Sequence, residues 1–169
     1  MRLAQRGFAV VNFTYRLAPE DPYPAALKDI EAVFAWIWEN ADDYFINRDE
    51  LFSVGDSAGA QLCHQICTAL TNPGYAALCG LSFPEGMKIR ACALNCGCYY
   101  FPTSRIISPA KTDMMGDYLT KDYRKFLPQL KVANNMTSAF PPAFVMGACN
   151  DPLTSMAKPL CRRMKKLGI

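Results

Sequence analysis

The chain has 169 residues, 51% of them hydrophobic and 20% charged, with a formal net charge of +3. This is the composition of soluble globular material able to bury one sizeable core. The charge is too small and too scattered for a nucleic-acid partner, and the longest apolar stretch, around residues 91–101, is far too short to span a membrane.

After a short, partly polar start, residues 8–13 read FAVVNF, dense in strand formers and nearly continuous in apolar character. The pattern predicts a strand covered on both faces. Three prolines then break the chain before apolar positions resume at Ala26, Ile30, Val33, Phe34 and Ile37, predicting a helix with Pro24 at its start. Residues 51–54 (LFSV) read as a buried strand, and Leu62, Cys63, Ile66, Cys67 and Leu70 recur afterwards at helical spacing. Strand, helix, strand, helix is the repeating unit of a parallel sheet.

A weak pattern over 75–81 predicts a short helix, residues 89–96 a strand, and residues 114–119 and 123–130 two short helices. No clean period holds across 97–139, which makes that segment a candidate lid or substrate-pocket insertion. Residues 143–147 (AFVMG) follow as a strand, ending in Asn150-Asp151-Pro152-Leu153. A carboxylate at the C-terminal end of a strand is where sites in parallel sheets are built. The last element is an amphipathic helix with Met156, Leu160, Met164 and Leu167 as its apolar stripe and Gly168 as its C-cap. Its basic residues, Arg162, Arg163, Lys165 and Lys166, are expected on the solvated face.

Eight cysteines lie in apolar segments and are expected to behave as small core residues. No C-x-x-C occurs and there is a single histidine, so no zinc set, metal or cofactor is expected. Unpaired cysteines and the absence of a small-residue cleavage site after the opening stretch point to a reduced, cytoplasmic setting.

The chemistry concentrates at Gly55-Asp56-Ser57-Ala58-Gly59, a G-x-S-x-G sequence between the strand and the helix. A strand that reverses into a helix over so few atoms leaves no room for side chains two before and two after the serine, and Gly55 and Gly59 meet that need. Such a turn is a nucleophile elbow: it exposes the Ser57 hydroxyl, while the Ala58 N–H and the helix N-terminus face the space where an oxyanion forms. The alternative is an ordinary turn in which Ser57 merely caps the helix.

Three separated stretches, Tyr15-Arg16-Leu17-Ala18-Pro19-Glu20 with Tyr23-Pro24-Ala25-Ala26-Leu27-Lys28-Asp29, then Gly55 to Gly59, then Asn150-Asp151-Pro152-Leu153, agree in order and interval. Together they resemble the bacterial hormone-sensitive-lipase-like carboxylesterases of the α/β-hydrolase fold. The resemblance implies a mostly parallel sheet with helices on both faces and a serine ester hydrolase acting on a small-molecule ester. Its nucleophile is Ser57 and its triad acid Asp151. Where the family usually has a further glycine, this chain has Ala60.

The family's His-Gly-Gly oxyanion loop and its catalytic histidine have no counterparts here, so the resemblance implies a partial hydrolase domain, 1–169, incomplete at both ends. His64 lies seven residues past Ser57, roughly 10 Å along a helix, and is expected to be structural. Asp56 is assigned a structural or local electrostatic role, and Arg16 is expected to pair with Glu20. Two other readings stay open: a non-catalytic hydrolase-like binding module, and a peptidase or thioesterase on the same fold.

Overall fold

Three short strands, β1 (Phe52–Asp56), β2 (Ala91–Asn95) and β3 (Ala143–Met146), form a parallel sheet in the order β1-β2-β3. The computed structural model describes residues 2–101, 114–120 and 123–169. Around the sheet lie α1 (Ala25–Glu39), α2 (Ala58–Thr71), α3 (Pro73–Cys79), α4 (Met114–Leu119), α5 (Tyr123–Leu130), α6 (Val132–Asn135) and α7 (Thr154–Leu167).

Register decides which side chains meet the helices. Ser53, Cys92 and Ala143 lie in one row across the sheet and Gly55, Leu94 and Val145 in another. Those rows face α2 and α7: Cys92 and Leu94 are buried with Cys63 and Cys67 of α2 and with Leu160 and Met164 of α7. On the opposite face Phe52, Val54, Phe144 and Met146 are exposed. The expectation of helices on both faces is therefore met on one face among the described residues. An apolar run shows that a strand is able to be covered twice, not that the cover is at hand.

Helix α2 is the centre of the core, with every residue from Ala60 to Ala69 buried. Against it α1 sets Leu27, Ile30 and Phe34, packed with Leu62 and Ile66. The buried amides of α2 are satisfied: Gln61 donates to Gln65 at 2.9 Å, and Gln65 donates to the Tyr23 hydroxyl at 2.9 Å. Tyr23 in turn donates to Gln129 at 2.7 Å, so a polar chain ties α1, α2 and α5 together. Asn72 then starts α3 by accepting from the Tyr75 N–H at 3.0 Å, with Pro73 in the first turn.

Three expectations change. Residues 8–13 form no strand, and Phe8, Val10, Val11 and Phe13 stay exposed, Phe8 meeting Phe52 edge-on at 6.0 Å. Strand-forming composition needs a neighbouring strand to become a strand, and among the described residues no strand pairs with this segment. Arg16 pairs with Asp29 and not Glu20: its N–H reaches Oδ2 at 2.8 Å and its guanidinium Oδ1 at 2.8 and 2.9 Å, with Asp21 at 3.4 Å. A carboxylate on the first turns of α1 offers Arg16 a bidentate partner, which geometry favours over a neighbour in the same loop. Finally, Arg163 of α7 is half-buried and donates to the Ala133 carbonyl at 3.1 Å, so that member of the basic cluster anchors α7 to α6.

Of the candidate insertion over 97–139, residues 102–113 and 121–122 lie outside the described residues. The described parts belong to the core: Tyr99, Leu119, Leu130, Val132 and Met136 are all buried. The Tyr23 N–H donates to the Tyr118 carbonyl at 2.8 Å, which joins α4 to the start of α1.

Candidate active site

The parallel register brings the C-terminal ends of all three strands to one edge, where Asp56, Asn95 and Met146 stand side by side. Ser57 and Ala58 follow the end of β1 and Asp151 the end of β3. Immediately past β1, Ser57 has φ 54° and ψ −116°, a left-handed backbone that a residue with a Cβ rarely adopts. Two contacts hold it. Its N–H donates to the Asn95 carbonyl at 2.8 Å, and its own carbonyl accepts from the Ala60 and Gln61 N–H groups at 3.1 and 3.2 Å, opening α2.

The Ser57 side chain makes no capping hydrogen bond to α2 and is exposed, as are Asp56 and Ala58. An ordinary N-cap serine would spend its oxygen on the helix. Ala58 is the first residue of α2, where N–H groups have no intrahelical acceptor and the helix dipole favours negative charge.

The two glycines of the turn are not equivalent. A Cβ on Gly55 would lie 2.2 Å from the Gly59 carbonyl oxygen and 2.6 Å from the Ala60 nitrogen, contacts no side chain tolerates. A Cβ on Gly59 would meet nothing within 4 Å, so the expected crowding at that position is absent. The turn folds the first residues of α2 back over Gly55, and only the residue underneath is pressed. A third glycine, Gly97, takes up the strain of Ala60: a Cβ there would approach the Ala60 methyl to 2.8 Å and the Tyr99 ring to 2.6 Å. The departure at Ala60 is thus accommodated across the sheet edge rather than in the helix.

Asp151 sits in the turn between β3 and α7, where its Oδ1 accepts from the Leu153 N–H at 2.8 Å and its backbone carbonyl from the Thr154 N–H at 3.1 Å. Sequence reasoning missed its other neighbour. The Asp151 carboxylate beside the Cys96 thiol raises the thiol pKa, and the Cys96 N–H donates to the Met146 carbonyl at 2.8 Å. Cys96 also has a positive φ of 51°, one residue beyond the Asn95 that holds Ser57. Its only signal in the sequence was its place at the end of a strand.

His64 is fully buried, with its ring edge-on to Tyr99 and Phe140 at 5.7 and 5.8 Å and Nε2 3.2 Å from the Met136 sulfur. Burial lowers its pKa to about 3, so the ring is neutral at physiological pH. A groove of about 420 Å³ lies between β3 and α7, lined by Val145, Gly147, Thr154, Ala157 and Lys158 among others, and neither Ser57 nor Asp151 is in its wall.

A parallel α/β sheet whose first described strand delivers a serine in a strained turn onto a helix, and whose last delivers an aspartate at the same edge, defines the hydrolase class of α/β proteins. A family model described as the alpha/beta hydrolase fold matches residues 2–169, and the chain belongs to that family, in its hormone-sensitive-lipase-like branch. It is 30% identical over 167 residues to the acetyl esterase of Salmonella typhi, covering 90% of this chain and 49% of that protein. Lipase 2 of Moraxella sp. strain TA144 is 40% identical over 70 residues, covering 41% of this chain and 16% of that protein. Among solved structures, an inhibited esterase B from Lactobacillus rhamnosis superimposes with a TM-score of 0.77 at 24% identity, over 99% of this chain and 55% of that one. The chain spans about half the length of the acetyl esterase it matches.

Among the described residues no helix is long and apolar enough to cross a membrane.

Proposed function

We propose that this chain carries the nucleophile and acid of a serine carboxylic ester hydrolase, with Ser57 forming the acyl-enzyme and Asp151 orienting the base. One observation carries the reading: Ser57 holds a strained backbone while its hydroxyl is left out of the helix cap it is placed to make. Strain of this kind costs about 1–3 kcal/mol and persists where a site uses it.

In the proposed reaction a histidine takes the Ser57 proton and the oxygen attacks the ester carbonyl. The Ala58 N–H stabilises the oxyanion, the alcohol leaves with the proton, and water releases the acid. The single histidine of these 169 residues is enclosed by Tyr99, Phe140 and Met136, so the base is a histidine outside residues 1–169, and an oxyanion loop is supplied with it. We further assign residues 97–139 to the substrate pocket, small-molecule esters as substrates, and the cytoplasm as the location. The likeness to an acetyl esterase supports the substrate class, and eight unpaired cysteines support the compartment.

The test is covalent labelling with a fluorophosphonate, with peptide mapping, on the complete polypeptide that contains this chain. Adduct on Ser57 that vanishes in Ser57→Ala is expected. A well-folded polypeptide that binds esters yet takes no label would favour the non-catalytic binding module. On its own, the 169-residue chain should turn over p-nitrophenyl acetate negligibly, because losing the base of such a triad costs on the order of a million-fold.

A further inference from the structure

Away from the sheet edge, Cys63, Cys67 and Cys92 bring three sulfur atoms together, all within 4.8 Å of one another and all buried. Two come from one face of α2, four residues apart, and the third from β2, whose side chain at that row points at the helix. We propose that these three thiols form a trigonal site for a soft monovalent cation, Cu(I).

Geometry and donor type select the ion. With metal–sulfur bonds of about 2.3 Å, a trigonal-planar site sets its sulfurs about 4.0 Å apart, within the 4.8 Å limit that all three sulfurs meet. Zn(II) needs four ligands, and no further His, Cys, Asp or Glu joins this set among the described residues. Thiolates alone select soft ions, and Cu(I) accepts three-fold coordination. Calcium and magnesium require oxygen donors and are excluded on the same ground.

The surroundings suit a thiolate. The Ser53 hydroxyl, its Oγ 3.0 Å from the Cys63 sulfur, is placed to donate to a thiolate there. Binding Cu(I) with three thiolates displaces the thiol protons, and affinity rises with pH. A cavity of about 130 Å³ lies beside Cys67, bounded by Leu70, Thr71, Met87 and Ile89 among others.

Occupation would tie α2 to β2 about two turns beyond Ser57, bracing the helix that the candidate nucleophile begins. The inference rests on the thiols alone, and its test reads metal, not ester turnover. In a variant retaining only these three cysteines (Cys79→Ala with Cys96, Cys98, Cys149 and Cys161→Ser), anaerobic titration with Cu(I) buffered by bicinchoninate should transfer one ion per chain. X-ray absorption should count three sulfur neighbours. Adding Cys92→Ala should weaken binding by at least about a hundredfold, beyond what loss of a supporting contact costs. No transfer, two-sulfur coordination, or unchanged affinity in Cys92→Ala would each overturn the site. Should the five-fold variant not fold, the eight-cysteine chain decides: Cu(I) should raise its melting temperature, and equal rises with and without Cys92→Ala refute the proposal.

Discussion

The backbone N–H of Ser57 donates to the carbonyl of Asn95 at 2.8 Å, so the serine is still paired to the neighbouring strand at the point where its own strand has become a helix. This one bond fixes the strained residue against β2 and points the turn at the edge where Cys96 and Asp151 meet. Sequence spacing alone predicted the turn. The bond explains why it stays there.

Gly55 and Gly59 should answer differently to the same substitution. Gly55→Ala drives a methyl into the Gly59 carbonyl and should cost at least about 3 kcal/mol, or prevent folding, because backbone atoms on both sides of the contact have nowhere to move. Gly59→Ala meets open space inside a helix and should be neutral or stabilising by up to about 1 kcal/mol. Urea unfolding of the two variants checks this, and equal losses would show that the turn is built otherwise.

In a polypeptide where Ser57 turns over esters, Asp151→Asn should lower kcat by about ten-thousand-fold with the fold intact, since an amide holds the imidazole in the wrong tautomer. Asp56→Asn should stay within about tenfold, a barrier change near 1.4 kcal/mol. Steady-state kinetics of the pair would sink the assignment if the order of effects were reversed.

His64 makes the chain sensitive to mild acid. Its folded pKa is about 3 against 6.5 for a free histidine, so below pH 6.5 the unfolded chain takes up a proton that the folded ring refuses. Stability is fully present above pH 6.5 and falls as pH drops towards 3, by up to about 5 kcal/mol in all. His64→Leu should flatten the slope of unfolding free energy between pH 4.5 and 6.5. An unchanged slope would mean the ring is solvated.

The Arg16–Asp29 pair should organise the loop before α1. Arg16 holds the Asp29 carboxyl below its ordinary 3.8, so the contact is present above that pH and is lost as pH falls through the lowered value. Asp29→Asn should speed amide exchange over residues 16–24 at neutral pH while leaving α2 protected. Equal exchange in the two proteins would show the pair is only a surface contact.

What the sequence by itself determined was local. The period of apolar residues placed α1, α2, α7 and the three strands, and G-x-S-x-G marked a turn where a serine and not a glycine takes the strained position. Motif order was enough to identify the family. Tertiary structure decided everything that depends on a partner from another segment. FAVVNF has the composition of a strand yet pairs with no strand among the described residues, because backbone donors and acceptors must come from elsewhere. Gly59 shares a motif with Gly55 and lacks its crowding, since only folding decides which of the two lies underneath. Cys92 joins Cys63 and Cys67, and Cys96 joins Asp151, only once parallel register sets β2 beside β1 and β3. Spacing along a chain encodes which face a side chain takes, and only the packed sheet encodes what that face meets.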